Sequence, residues 1–262
     1  MLILSISVSK KEENLKPYIG ITGFMSPDEV ERIMNVVRID GNRNLMVGVL
    51  ASSKTLHGFK NKYPGRYPSV RRIKDIFFQR PAMLNLIHYS TDAPETLAAQ
   101  LGKLMQWGGN KVHGFQLNVA WPSVAEIREH KRRYPATTIV LQVGKHAMEL
   151  VDSSPNACAE RVAQYDGVVD YVLIDPSGGR GEPLSVVTAR DYLSAIRNHG
   201  IKMGLVVAGG LCAATLSRIK PLIKEFPDLS IDAEGRLRTP DDHLDIEAAI
   251  AYWQSADRLF QP

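Results

Sequence analysis

Asp175 ends an apolar run, Val169-Asp170-Tyr171-Val172-Leu173-Ile174, and is followed at once by Pro176-Ser177-Gly178-Gly179-Arg180-Gly181. A second apolar run, Met203 to Ala208, stops in Gly209-Gly210 just before a helical pattern. Glycine lacks a Cβ, so backbone N–H groups at such positions can approach an anion closely. A helix N-terminus adds unpaired N–H groups and the positive end of its dipole. A carboxylate at the tip of the first run is placed to give or take a proton beside that anion. The chemistry implied is acid–base catalysis on a phosphorylated small molecule, with Gly178, Gly179, Gly209 and Gly210 at the phosphate.

Other polar residues follow apolar runs in the same way. Asn118 falls near the end of His113–Val119, and Lys145 with His146 follows Thr137–Val143. His88 falls within Ala82–Ser90, and Gly235 lies beyond Leu229–Asp232. Lys145 has the chemistry for a Schiff base, and His146, His88 and Lys145 are alternative proton acceptors opposite Asp175. Gly235 is a further phosphate candidate, although Asp232 and Glu234 place carboxylates beside it, which Arg236 or Arg238 would have to offset. No local spacing of His, Cys or carboxylates matches a metal-ligand motif, so neither a metal nor a cofactor is expected.

These residues need a scaffold that brings many strand ends together. β-type runs near 17–22, 45–51, 82–90, 113–119, 137–143, 169–174, 203–208 and 229–232 alternate with helical patterns. The helical patterns fall at 27–37, 70–79, 94–107, 124–133, 157–164, 186–198, 213–225 and 244–260. Near-continuous Val/Ile/Leu runs mark strands buried on both faces of a parallel sheet. Eight strand–helix pairs in 262 residues predict one (β/α)8 TIM barrel over residues 1–262, with residues 1–15 as an N-terminal extension. In such a barrel the strand tips form the site. The long segment 52–68 after the second strand is then a candidate lid or clamp. Arg66 within it is a candidate substrate ligand.

Composition narrows the setting. The chain is 44% hydrophobic and 23% charged, with two cysteines and a formal net charge of +4. Two cysteines are too few for a disulfide framework and fit a reducing, cytoplasmic location. No run reaches the length of a membrane span. The basic residues of 128–133 read as a solvated helix face, so no nucleic-acid partner is expected. Trp253 and Phe260 on the last helix hint at an exposed apolar face and a homodimer.

Several motifs resemble those of the phosphoribosylanthranilate isomerase family of tryptophan biosynthesis. Tyr18-Ile19-Gly20-Ile21-Thr22 resembles the family's first-strand Cys-Gly-Ile-Thr, and Phe115-Gln116-Leu117-Asn118 its fourth-strand Val-Gln-Leu-His. Leu173-Ile174-Asp175 with Gly178-Gly179-Arg180-Gly181, Ala208-Gly209-Gly210-Leu211 and Ile231–Gly235 follow in the family's order. The resemblance implies a phosphate-binding barrel and an aldose–ketose isomerase reaction that opens a phosphoribose ring. It implies that Asp175 protonates the ring oxygen. The family's proton-accepting cysteine aligns with Ile19, which cannot accept a proton, and Glu234 interrupts the family's phosphate loop.

The expectation is therefore an isomerase-like phosphosugar-binding barrel with Asp175 as general acid. Two alternatives stand beside it: a Lys145 Schiff-base lyase or aldolase, and a barrel that binds a ligand or partner without turnover.

Overall fold

A computed structural model of the chain describes residues 15–37, 42–177 and 184–261. Its eight strands are β1 (Tyr18–Thr22), β2 (Asn44–Ser52), β3 (Met83–Ser90), β4 (Gly114–Leu117), β5 (Thr138–Gly144), β6 (Tyr171–Asp175), β7 (Gly204–Ala208) and β8 (Ser230–Ala233). Each pairs in parallel with the next, and β8 closes on β1. The protein is a (β/α)8 barrel, as the alternation of runs predicts. The expected N-terminal extension lies outside the described residues, apart from Leu15.

Strand alternation divides the core in two. Tyr18, Met46, Leu84, Leu86, Val140, Tyr171, Leu173 and Val206 pack together inside the barrel. Their neighbours Ile19, Ile21, Leu45, Val47, Ile87, Val172 and Val207 pack outward against the helices. Inside, Tyr18 and Tyr171 meet edge to face, with ring centroids 5.3 Å apart. Towards the strands' C-terminal ends the inward positions become polar: Thr22, His88, Gln116, Gln142, Asp175 and Asp232 are all buried. The barrel interior therefore runs from a dry apolar floor to a polar mouth.

One glycine makes that mouth possible. A Cβ on Gly48 of β2 would lie 2.3 Å from Thr22 Oγ1 and 2.9 Å from Thr22 Cα. Only glycine leaves Thr22 the space from which it reaches Asp232.

The helices follow the expected order with two corrections. Residues 70–79 do not form one helix. Val70–Arg72 is a 3-10 turn, Ile73–Ile76 a single helical turn, and Phe77 leaves in extended conformation. Phe77 is fully buried, and Pro81 restricts the residue before it, so the chain exchanges helix for core contact. Residues 213–225 also divide. Thr215 Oγ1 accepts from the Cys212 N–H (2.9 Å) and donates to the Gly210 carbonyl (2.9 Å), closing a turn directly after β7. A 3-10 turn, Leu216–Ile219, precedes the helix Lys220–Glu225. Pro221 has no N–H for a preceding carbonyl, so it starts a helix and cannot continue one.

Trp253 is not on an exposed face: it is 3% exposed and packs in the core. Phe260 lies partly buried under the Arg43 guanidinium, 3.6 Å from the ring centre. No helix among the described residues is long and apolar enough to cross a membrane.

Candidate active site

The polar mouth opens into a cavity of about 440 Å³ whose wall includes His88, Gln116, Asn118, Gln142, Asp175, Gly209, Gly210 and Asp232. Glu234, Gly235 and the loop residues Tyr63, Arg66 and Tyr67 complete it. A volume of this order suits a small molecule.

Two buried carboxylates face this space, and their surroundings differ. Asp175 Oδ1 accepts from Ser177 Oγ (2.6 Å) and from the Ser177 backbone N–H (3.1 Å). Its Oδ2 accepts from Gln142 Nε2 (3.2 Å). Asp232 Oδ1 accepts from Thr22 Oγ1 (3.0 Å), and its Oδ2 from Gln116 Nε2 (3.1 Å). Burial pushes the Asp232 carboxyl up to about 7. The Gln116 and Thr22 hydrogen bonds oppose this, while Glu234 and Asp175 add to it.

The two acids are tied together through the barrel wall. Gln116 Nε2 also donates to Gln142 Oε1 (3.3 Å), giving the chain Asp232–Gln116–Gln142–Asp175 across β8, β4, β5 and β6. Each amide thus holds a carboxylate in place, as a site for proton transfer requires.

Glu234 also turns inward, since it lies two residues beyond Asp232 on the same face. Burial raises its carboxyl, opposed by the nearby cations Arg238 and Arg66. Arg66 Nη1 donates to Glu234 Oε1 (3.2 Å), while its Nε donates to Asp242 Oδ1 and Oδ2 (2.8 and 2.9 Å). Arg66 thereby pins the loop after β2 to the loop after β8, across the mouth. Arg238, with a side chain only 4% exposed, reaches Asp242, Gly23 and Gly65 from below.

Arg66→Ala leaves Glu234 and Asp242 without this cation, and all three side chains are partly buried. A loss of about 1–3 kcal/mol is expected in urea unfolding. Lysine should restore only part of it, because the paired geometry needs the guanidinium fork.

His88 is buried on β3, and among the described residues no group lies within hydrogen-bond distance of either ring nitrogen. Burial lowers its pKa to about 4, so the ring is neutral at pH 7, despite the opposing pull of Asp175 and of the Gln142 side chain. Its Nδ1 lies 3.9 Å from Glu234 Oε2.

Of the residues singled out from the sequence, Asp175, Asn118, Gly209, Gly210, Gly235 and Arg66 share this cavity. Gly209 and Gly210 have φ of +119° and +58°, which side-chain-bearing residues rarely adopt. Gly178 and Gly179 lie outside the described residues. Lys145 and His146 do not line the main cavity. Both are exposed at the start of the helix Lys145–Glu149, beside an adjoining cleft. His146 faces Glu149 at 3.8 Å. An exposed lysine lacks the desolvation that activates a Schiff-base amine.

The helix after β8 begins at Ile246 with Asp245 as its cap, and the Asp245 side chain accepts from the Ala248 N–H. Its N-terminus is therefore already answered by a carboxylate. Arg238 and Arg66 are cations that offset Glu234.

Gln142, Ser177, Tyr63 and Tyr67 were not anticipated, and Asp232 was read only as an obstacle to phosphate. Ile19, aligned with the cysteine base, faces the helices; Tyr18, Gly20 and Thr22 face the lumen. Among the described residues no group of three or more His, Cys, Asp or Glu is arranged to hold a metal.

No family model matches the sequence, and no curated protein matches it. Solved structures do match. The phosphoribosyl anthranilate isomerase of Thermotoga maritima aligns with a TM-score of 0.62 at 16% identity, over 92% of this chain and 99% of that one. The isomerase of Pyrococcus furiosus gives 0.60 at 15% identity over the same shares. The catalytic domain of a hyperthermophilic chitinase from Pyrococcus furiosus gives 0.56 at 10% identity, over 95% and 98%. The likeness is one of fold: this chain is built as a phosphoribosylanthranilate isomerase-like (β/α)8 barrel.

Proposed function

We propose that the protein is an acid–base isomerase of a phosphorylated sugar derivative, of the aldose–ketose class. The observation that carries this reading is the pair of buried carboxylates, Asp175 and Asp232, joined by Gln142 and Gln116 at one cavity. Two acids in unlike environments divide into a proton donor and a proton acceptor. Asp232, at about 7, carries a proton through much of the neutral range and is the donor. Asp175, which accepts from Gln142 and from the Ser177 hydroxyl and N–H, is the acceptor. These roles reverse the one implied for Asp175 by the family resemblance.

For a glycosylamine phosphate the steps balance as follows. Asp232 gives its proton to the ring oxygen, and the bond from that oxygen to C1 breaks as the nitrogen lone pair forms C1=N. Asp175 takes the proton from C2, and the electron pair closes C1=C2 while C1=N returns to an amine. Reprotonation at C1 and loss of the enol proton give the 1-amino-1-deoxyketose, with no net gain or loss of protons. The Gly209-Gly210 turn, free of side chains and open to the cavity, is the phosphate end.

The test is conversion of a panel of 5-phosphoribosylamines, made from anthranilate and simple amines, followed by carbon-13 NMR at C2. At least one member should become a ketose. Its kcat/KM should fall above about pH 7, as Asp232 loses the proton it must donate. A rate that rises through pH 7 would overturn the role assignment; a folded protein that converts no member would overturn the reading.

A further inference from the structure

The mechanism leaves one buried cluster unused. Among the described residues no group lies within hydrogen-bond distance of either His88 ring nitrogen, and the Gln142 side chain bears on the ring. Gln116, its register partner on β4, keeps a buried Oε1 with no hydrogen-bond partner among the described residues. A buried polar atom left unpaired costs about 1–3 kcal/mol, so three such atoms at one cavity wall await a partner. Glu234 Oε1 is held by Arg66, whereas Oε2 faces His88 Nδ1 at 3.9 Å, too far for a direct hydrogen bond.

The spacing fits one intervening oxygen. An atom about 2.8 Å from both His88 Nδ1 and Glu234 Oε2 would subtend roughly 90° between them, near the angle a hydroxyl uses to accept one bond and donate another. A phosphate oxygen does not suit this place while Glu234 is ionised, because a carboxylate accepts and repels an anion.

We propose that His88 and Glu234, with Gln116 Oε1 beside them, form a hydroxyl-reading subsite. A sugar hydroxyl accepts from His88 and donates to Glu234 there, and a neighbouring hydroxyl donates to Gln116. The subsite rests on the reading of the cavity as a sugar site. It adds that the β3–β4–β8 wall selects the hydroxyl pattern, while the phosphate lies at the β7 end. His88 and Glu234 set specificity and transfer no proton.

The test uses nitrogen-15 histidine-labelled protein with D-ribose and D-ribose 5-phosphate as probes, and with the 2-deoxy and 3-deoxy phosphates. The His88 ring signals, identified by their loss in His88→Leu, should move with ribose and with ribose 5-phosphate. One deoxy analogue should bind roughly tenfold more weakly by calorimetry, and His88→Leu should cut that difference below about threefold. His88→Gln, which keeps a donor and an acceptor, should retain part of it. Ring signals unmoved at high ribose 5-phosphate, or a folded His88→Leu that still discriminates, would overturn the subsite. Movement of the ring by ribose, in a protein that converts no phosphoribosylamine, would uphold the subsite and reject only the isomerase reading.

Discussion

Replacing Asp232 by asparagine is expected to abolish turnover and to raise thermal stability at pH 7 and above. The first effect follows from removing the proton donor, a loss of about 10²–10⁴ in kcat. The second follows from burial, which lifts the Asp232 carboxyl from its ordinary 3.8 to about 7. The folded chain then holds this proton more tightly than the unfolded chain does. Wild-type stability from this group is therefore present below about pH 4 and is lost as pH rises towards 7. The upper bound of that loss is about 4 kcal/mol at pH 8. Asparagine removes the penalty and keeps its hydrogen bonds. Its oxygen accepts from Gln116, and its amide donates to Thr22, whose hydroxyl accepts as readily as it donates. A gain of about 2–4 kcal/mol, or roughly 4–10 °C in Tm, is expected at pH 8 and should shrink to nothing near pH 4. Melting curves of both proteins from pH 4 to 8 measure it.

Asp175→Asn should be equally inactive but opposite in stability. An amide accepts no proton from C2, so turnover again falls by about 10²–10⁴. Here the described partners are donors placed for a carboxylate. Oδ1 faces a backbone N–H of Ser177, which only donates, and Oδ2 faces Gln142 Nε2, whose own oxygen is already taken by Gln116. The new amide nitrogen would meet another donor, at a cost of about 1–2 kcal/mol. Two isosteric substitutions thus share a kinetic result and differ in the sign of ΔTm at pH 8. Destabilisation by both would mean that Asp232 is a structural carboxylate. Stabilisation by both would mean that the Ser177 and Gln142 bonds do not hold Asp175.

Much of this architecture was legible in the sequence, because each strand is a short apolar run closed by polar or glycine residues. Asp175, Asn118 and Gly209-Gly210 were found for that reason: strand tips in a barrel converge. What the runs hide is which face is inward. In a strand buried on both sides, Ile19 and Gly20 are equally plausible lumen residues. The motif match aligns the family's cysteine with Ile19, which points to the helices. Strand parity applied to β8 would have found Asp232 once Glu234 was accepted as inward, and applied to β4 it would have paired Gln116 with Asn118. The remaining contacts join distant positions. Thr22 meets Asp232 across 210 residues, and Arg66 meets Asp242 across 176. No local pattern carries such pairs. Pro221 was the missed local signal, since it marks a helix that starts at Lys220 and not at 213.

The proposed reaction requires Asp232 to hold its proton near neutrality in the folded protein. Its titration can be followed directly in protein labelled with carbon-13 at the aspartate carboxyls, with Asp232→Asn identifying the signal. A midpoint near 7, coinciding with the fall in kcat/KM, is the result the structure predicts. A midpoint near 4 would show an ordinary carboxylate, ionised throughout the neutral range, and would remove the proton donor from the proposed reaction.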